Sequence, residues 1–220
     1  MKKRSLRSFI LLGILTSFVA PASSFATNLW WQNTATVGLN ERWGVFGEFQ
    51  PRWQNRMSDE QALLIRSALF YRVDPSLRFG LGFGWTPQYQ PTERDESRFF
   101  EQVDYNLSQG DLSESIRGRL EQRFLEFTTG TAWRFRLKTQ LSWTPGNLGG
   151  YVWNEIFYHL NDKPAQVKSG FDQNRFSVGP RLKFDFLTVE AGYLHQTIRR
   201  YSGLVVSDHG AQLGVSANFW

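Results

Sequence analysis

The chain has 220 residues, 41% of them hydrophobic and 20% charged, with no Cys and a formal net charge of +5. The absence of Cys excludes a disulfide scaffold. The positive balance argues for no nucleic-acid partner: Lys2, Lys3, Arg4 and Arg7 fall in residues 1–26, which hold no acidic residue and leave 21 basic against 20 acidic residues in the remainder.

The N-terminus reads first. Lys2, Lys3, Arg4 and Arg7 precede an apolar run from Phe9 to Ala20, and Ser24, Phe25 and Ala26 follow it. A basic start, a short apolar stretch and a small-x-small end are the pattern of a secretory signal, here expected to be cut after Ala26. The apolar run is shorter than the ~20 residues a membrane helix needs. The reading is therefore a signal peptide over 1–26 and one domain over 27–220. No later segment is long and apolar enough for a membrane helix, so a membrane location requires a closed β-barrel, because lipid offers no partner to an open sheet edge.

Eleven strand-like segments follow, at about 29–39, 43–54, 62–73, 76–89, 97–107, 114–127, 131–143, 150–161, 172–184, 187–200 and 208–220. Tight gaps mostly alternate with longer polar ones, as periplasmic turns alternate with extracellular loops. The second segment places Trp43, Val45, Phe49 and Trp53 on one face and Glu48, Gln50 and Arg52 on the other. The third offers Arg66 and Arg72 to the polar face, and the fourth offers Arg78, Gly80, Gly82, Gly84 and Thr86. Glycines in a strand mark a bend or a close approach. The sixth segment contributes Arg117, Arg119, Glu121 and Arg123.

The seventh segment is the most informative. Trp133, Phe135, Leu137, Thr139, Leu141 and Trp143 alternate with Ala132, Arg134, Arg136, Lys138, Gln140 and Ser142. A period of two means a strand with one apolar and one polar face. Its apolar face is bounded by Trp at both ends, and Trp43 and Trp53 repeat the spacing. Ten tilted strand residues rise roughly 25 Å, the height of the lipid-facing band of an outer-membrane barrel. Trp43, Trp53, Trp133 and Trp143 are accordingly expected at the two membrane interfaces.

Gln173, Arg175 and Arg181 come from the ninth segment, and Glu190 and Gln196 from the tenth. At the C-terminus, Phe219, Ala217, Val215 and Leu213 form the alternating apolar set read by barrel-assembly machinery, displaced by one residue because Trp220 ends the chain. Glu101 and Glu155 fall where the alternation leaves the face ambiguous. The expected fold is a single antiparallel up-and-down transmembrane β-barrel. Because single-chain bacterial barrels have even strand numbers, the expectation is about twelve strands, with ten as the alternative.

The expected lumen-lining set is Glu48, Arg52, Arg66, Arg72, Arg117, Arg119, Glu121, Arg123, Arg134, Arg136, Arg175, Arg181 and Glu190. Arg–carboxylate ladders can fill a small barrel; unpaired Arg would instead make a narrow channel that attracts small anionic solutes. The third class is a membrane-embedded hydrolase acting on a lipid or acyl substrate. His159, His195 and His209 are the three histidines, and none sits in a motif that fixes a nucleophile; Ser207, Asp208 and His209 read as a loop–strand junction. No zinc spacing, phosphate loop or calcium loop is present, so no metal or cofactor is expected.

Several phrases occur in order: Trp43, Arg119 to Phe124, Arg134 to Arg136, Asn154 to Phe157, Phe171 to Arg175 and Glu190 to Gln196. Together they resemble the domain of unknown function 2490 (DUF2490) family of bacterial barrel-like proteins over essentially the whole chain after residue 26. The resemblance implies an outer-membrane barrel and no agreed activity, so it assigns no functional residues. The combined reading is a non-enzymatic envelope component or narrow channel of the bacterial outer membrane. Its expected partners are outer-membrane lipid, lipopolysaccharide and, through the last strand, the assembly machinery.

Overall fold

Alternation becomes pairing in the computed structural model, which describes residues 28–54, 58–89, 93–164 and 166–220. The expected signal peptide lies outside the described residues. The strands are β1 (Asn28–Gly38), β2 (Trp43–Gln54), β3 (Asp59–Arg72), β4 (Leu77–Gln88), β5 (Arg94–Gln109), β6 (Leu112–Leu125), β7 (Ala132–Trp143), β8 (Leu148–His159), β9 (Gly170–Lys183), β10 (Leu187–Arg199) and β11 (Val205–Phe219). Each pairs with its sequence neighbours antiparallel, and β1 lies beside β11 to close the barrel.

That last pairing is parallel, running from Asn28↔Gly210 to Val37↔Phe219. The described strands number eleven, not twelve or ten, and one neighbour pair departs from the antiparallel rule. The physical reason is parity. An odd number of alternating strands cannot close with every neighbour antiparallel, so one pair must run parallel. β1 therefore starts at the same end of the barrel as β11.

The two ends differ. At one end the connections are short and held by local bonds. Asn40 Oδ1 accepts from the amides of Arg42 (2.9 Å) and Trp43 (2.8 Å), and Asp74 Oδ1 accepts from Ser76 (2.7 Å) and Leu77 (2.9 Å). Gly110, with φ 58°, supplies the left-handed residue of the tight β5–β6 turn. The opposite end carries the longer connections, including the β8–β9 loop. There the amide of Ser169 donates to Asp162 (2.5 Å) and holds that exposed carboxyl below its ordinary range.

The interior is packed. Trp30, Tyr151, Trp153 and Leu194 form one buried cluster. Ala68, Phe70 and Phe100 form another, with Phe46 and Trp220 against it. The glycines of β4 make room for this filling: a Cβ on Gly80 would strike the Phe70 ring, and one on Gly82 would strike Phe100. The close approach expected of these glycines is that of aromatic rings. Trp220 turns across the short-connection end instead of extending β11. Its Nε1 donates to the Asn40 carbonyl (3.1 Å), and its ring lies 2.7 Å from where a Cβ on Gly44 would be. This is why the alternating C-terminal set is counted from Phe219.

Candidate functional site

The strands' polar faces turn inward, and most of their charged side chains meet in one ion-paired network. Its centre is Glu121 on β6, whose side chain is 0% exposed. Arg134 approaches it at 2.6 Å and Arg136 at 2.5 Å from β7, with Arg119 at 3.7 Å and Arg98 at 3.9 Å. The register explains the geometry: Glu121 pairs directly with Arg134, and Arg119 with Arg136. Same-face cross-strand neighbours are close enough for ionic contact.

From this centre the network extends both ways. Arg136 also bonds Glu155 (2.7 Å) on β8. Toward the short turns, Asp104 holds Arg78 (2.9 Å) and Arg117 (2.8 Å) and accepts from Gln102 (2.7 Å). Arg119 donates to Gln102 and lies 4.3 Å over Phe100. Toward the loops, Glu96 binds Arg98 (2.9 Å) and Arg123 (2.6 Å), and Asp172 meets Arg134 (3.2 Å) and His159 (3.3 Å). Separate links join Arg66 to Glu48 (2.6 Å) and Arg181 to Glu190 (3.3 Å).

Four further inward cations rest on aromatic faces. Arg52 lies 4.1 Å and Arg175 4.7 Å from the Trp30 ring, Lys138 4.4 Å from Trp153, and Arg72 3.9 Å from Trp220. A π face attracts a cation electrostatically when a carboxylate does not reach it.

All thirteen residues assigned to the lumen from the sequence thus lie on the inner face, and most are brought together. Glu155 faces inward. Glu101 does not: it sits on the outer face, where Gln122 donates to it at 2.8 Å. Trp43, Trp53, Trp133 and Trp143 are on the outer face, Trp43 and Trp143 toward the short turns and Trp53 and Trp133 toward the loops.

Sequence reading missed Glu96, Arg98, Gln102 and Asp104. The signal was there as a strict period of two along β5, obscured by inward Phe100 and outward Glu101. Asp172 carried no such signal. The ladder pairs Phe157 with Gln173 and Tyr158 with Phe171, so Asp172 is the extra residue of a β-bulge, and both it and Gln173 are buried.

The histidines separate. His159 is buried in the network, with Arg123 at 3.5 Å. Ser207 and His209 are on the outer face, while Asp208 turns inward to Asn28 (2.5 Å). These three consecutive residues therefore do not converge as a catalytic triad.

The fold and interior define a class: a closed β-barrel filled by an Arg–carboxylate and cation–aromatic core. The chain belongs to the family described as "Protein of unknown function (DUF2490)", which matches residues 27–206. It is similar to an uncharacterized protein of Methylorubrum extorquens, 29% identical over 216 residues, 94% of each chain. Among solved structures, LpxR from Salmonella typhimurium aligns over 81% of this chain and 85% of that one, with a TM-score of 0.48 and 8% identity.

Proposed function

We propose that this protein is a non-enzymatic component of the bacterial outer membrane whose bore is closed by its own ionic core. The observation that carries the closed bore is Glu121, wholly buried and reached by four guanidiniums from three strands. A solute would have to break that centre to pass. The membrane reading rests on the outer face, where Phe49, Leu69, Leu81, Phe99, Leu137 and Ile156 are among many exposed large apolar residues. Interrupted by Glu101 and Gln122, this apolar belt still far exceeds what a water-facing surface carries. Short turns are then periplasmic, longer loops face outward, and β1 enters from the outer side. Lipid and lipopolysaccharide are the outer-face partners, and β11 is the strand the assembly machinery would read.

A narrow anion channel is the second reading. It is favoured by Arg52, Arg175 and Lys138, which have no ion-paired carboxylate among the described residues. One experiment separates the readings: planar-bilayer recording of purified protein that first fractionates with the outer membrane and shows heat-dependent gel mobility. The closed core gives no steady conductance above background. Anion-selective current, weakened in selectivity by Arg134→Glu with Arg136→Glu, would replace it with the channel. Recovery as soluble periplasmic protein would overturn the membrane reading altogether.

A further inference from the structure

On the outer face of β10 and β11, five residues from the loop joining them, His195 and His209 are direct cross-strand partners. Their Nδ1 atoms are 3.3 Å apart, with ring centroids at 4.7 Å. The hydroxyl of Tyr193, two residues from His195 on the same face, also reaches His209 Nδ1. Thr197 Oγ1 lies 3.2 Å from His195 Nε2. His209 Nδ1 thus meets both a second imidazole nitrogen and a phenolic oxygen.

An imidazole Nδ1 has either one in-plane proton or one in-plane lone pair. His209 Nδ1 faces both His195 Nδ1 and the Tyr193 hydroxyl, so a single proton or lone pair is shared between two partners. A cation seated between the two Nδ1 atoms accepts both nitrogen lone pairs, and the Tyr193 hydroxyl, which rests against His209 Nδ1, would swing off that nitrogen to complete the set. Two nitrogens each ~2.0–2.1 Å from a tetrahedral zinc are about 3.3–3.4 Å apart, which matches the Nδ1 separation. Thr197 stands where an outer hydrogen bond would fix the ring that presents Nδ1.

We propose that His195, His209 and Tyr193 form a binding site for a divalent transition-metal ion. Two imidazoles and a phenolic oxygen suit zinc and copper(II) and disfavour calcium and magnesium, which take all-oxygen sets. Tyr193 and His209 are exposed on the outer face, and His195 is half-buried. The site is separate from the interior network.

The test uses the full mature chain, purified in detergent without a polyhistidine tag. Calorimetric titration with zinc chloride is expected to show one ion per chain at a low micromolar dissociation constant. His195→Gln and His209→Gln should each weaken binding about tenfold or more, and Tyr193→Phe by less. Because these side chains lie on the outer face, each variant is expected to keep its heat-dependent gel mobility. With copper(II), electron paramagnetic resonance of the unmutated protein should show hyperfine coupling to two nitrogens, a readout that needs no variant. Absence of zinc binding, unchanged affinity in the H195Q/H209Q double variant, or a copper spectrum without two coupled nitrogens would overturn the site.

Discussion

Glu121 and Glu101 show how one strand position changes what the same side chain does. Glu121 is enclosed by Arg98, Arg119, Arg134 and Arg136, whereas Glu101 is exposed with Gln122 as its partner. Removing one member of a buried ionic group leaves the other charges uncompensated and costs about 3–5 kcal/mol, far more than an exposed polar pair contributes. Glu121→Gln should therefore destabilise the barrel by about that amount, whereas Glu101→Gln, which takes a charge off the outer face, should not destabilise it. Urea unfolding of the two variants from lipid vesicles, followed by Trp fluorescence, measures the difference. Equal midpoints would mean the network is not what holds the interior. Glu121 was legible in the sequence because Arg119, Glu121 and Arg123 alternate with Leu120 and Gln122. Asp172 was not, because a bulge breaks the period that the reading relies on. The His195–His209 pair was equally hidden: fourteen residues of sequence separation carry no metal-ligand spacing, and only the β10–β11 register brings the rings together.

At the scale of the element, β7 gives the sharpest test of which face meets what. Phe135 and Leu137 are exposed on the outer face, and Arg136 between them is buried against Glu121 and Glu155. On the membrane reading, Leu137→Arg puts a guanidinium near mid-bilayer at a cost of roughly 2–4 kcal/mol. Spin labels at 135 and 137 should be accessible to a lipid-soluble relaxing agent, and a label at 136 should not. Greater lipid accessibility at 136 than at its neighbours would invert the register of the strand. β7 reads this clearly because both of its faces are nearly pure. β5 does not, because Phe100 points in and Glu101 points out. β11 adds a different lesson: the apolar set ending at Phe219 obeys the period of two, but Trp220 is spent on covering the turn end above Gly38 and Gly44. A terminal residue that folds inward looks, in sequence, like a register error.

For the whole molecule, strand segmentation was readable to within a few residues, but the closure was not. Alternation and turn chemistry act on neighbours in sequence, and they specify each hairpin from β1–β2 to β10–β11. Nothing local states which edge of the first strand meets which edge of the last, so the even number expected of single-chain bacterial barrels stands in for that information. The parallel β1–β11 seam removes that requirement. It also makes a firm geometric prediction. Ala35 and Ala217 are register partners across the seam, both on the outer face. Adjacent strands are ~4.8 Å apart, inside the Cα range a disulfide can span, whereas an intervening twelfth strand would separate the two positions by about 10 Å, beyond the ~7 Å limit. The chain has no Cys of its own, so an Ala35→Cys, Ala217→Cys double variant offers a single intramolecular disulfide. Mild oxidation of the folded protein should yield a cross-linked monomer, with altered mobility on a denaturing gel that is reversed by reductant. A folded barrel that fails to cross-link at 35 and 217, while both thiols still react with maleimide, would reject the eleven-strand seam and restore a closure with an even number of strands.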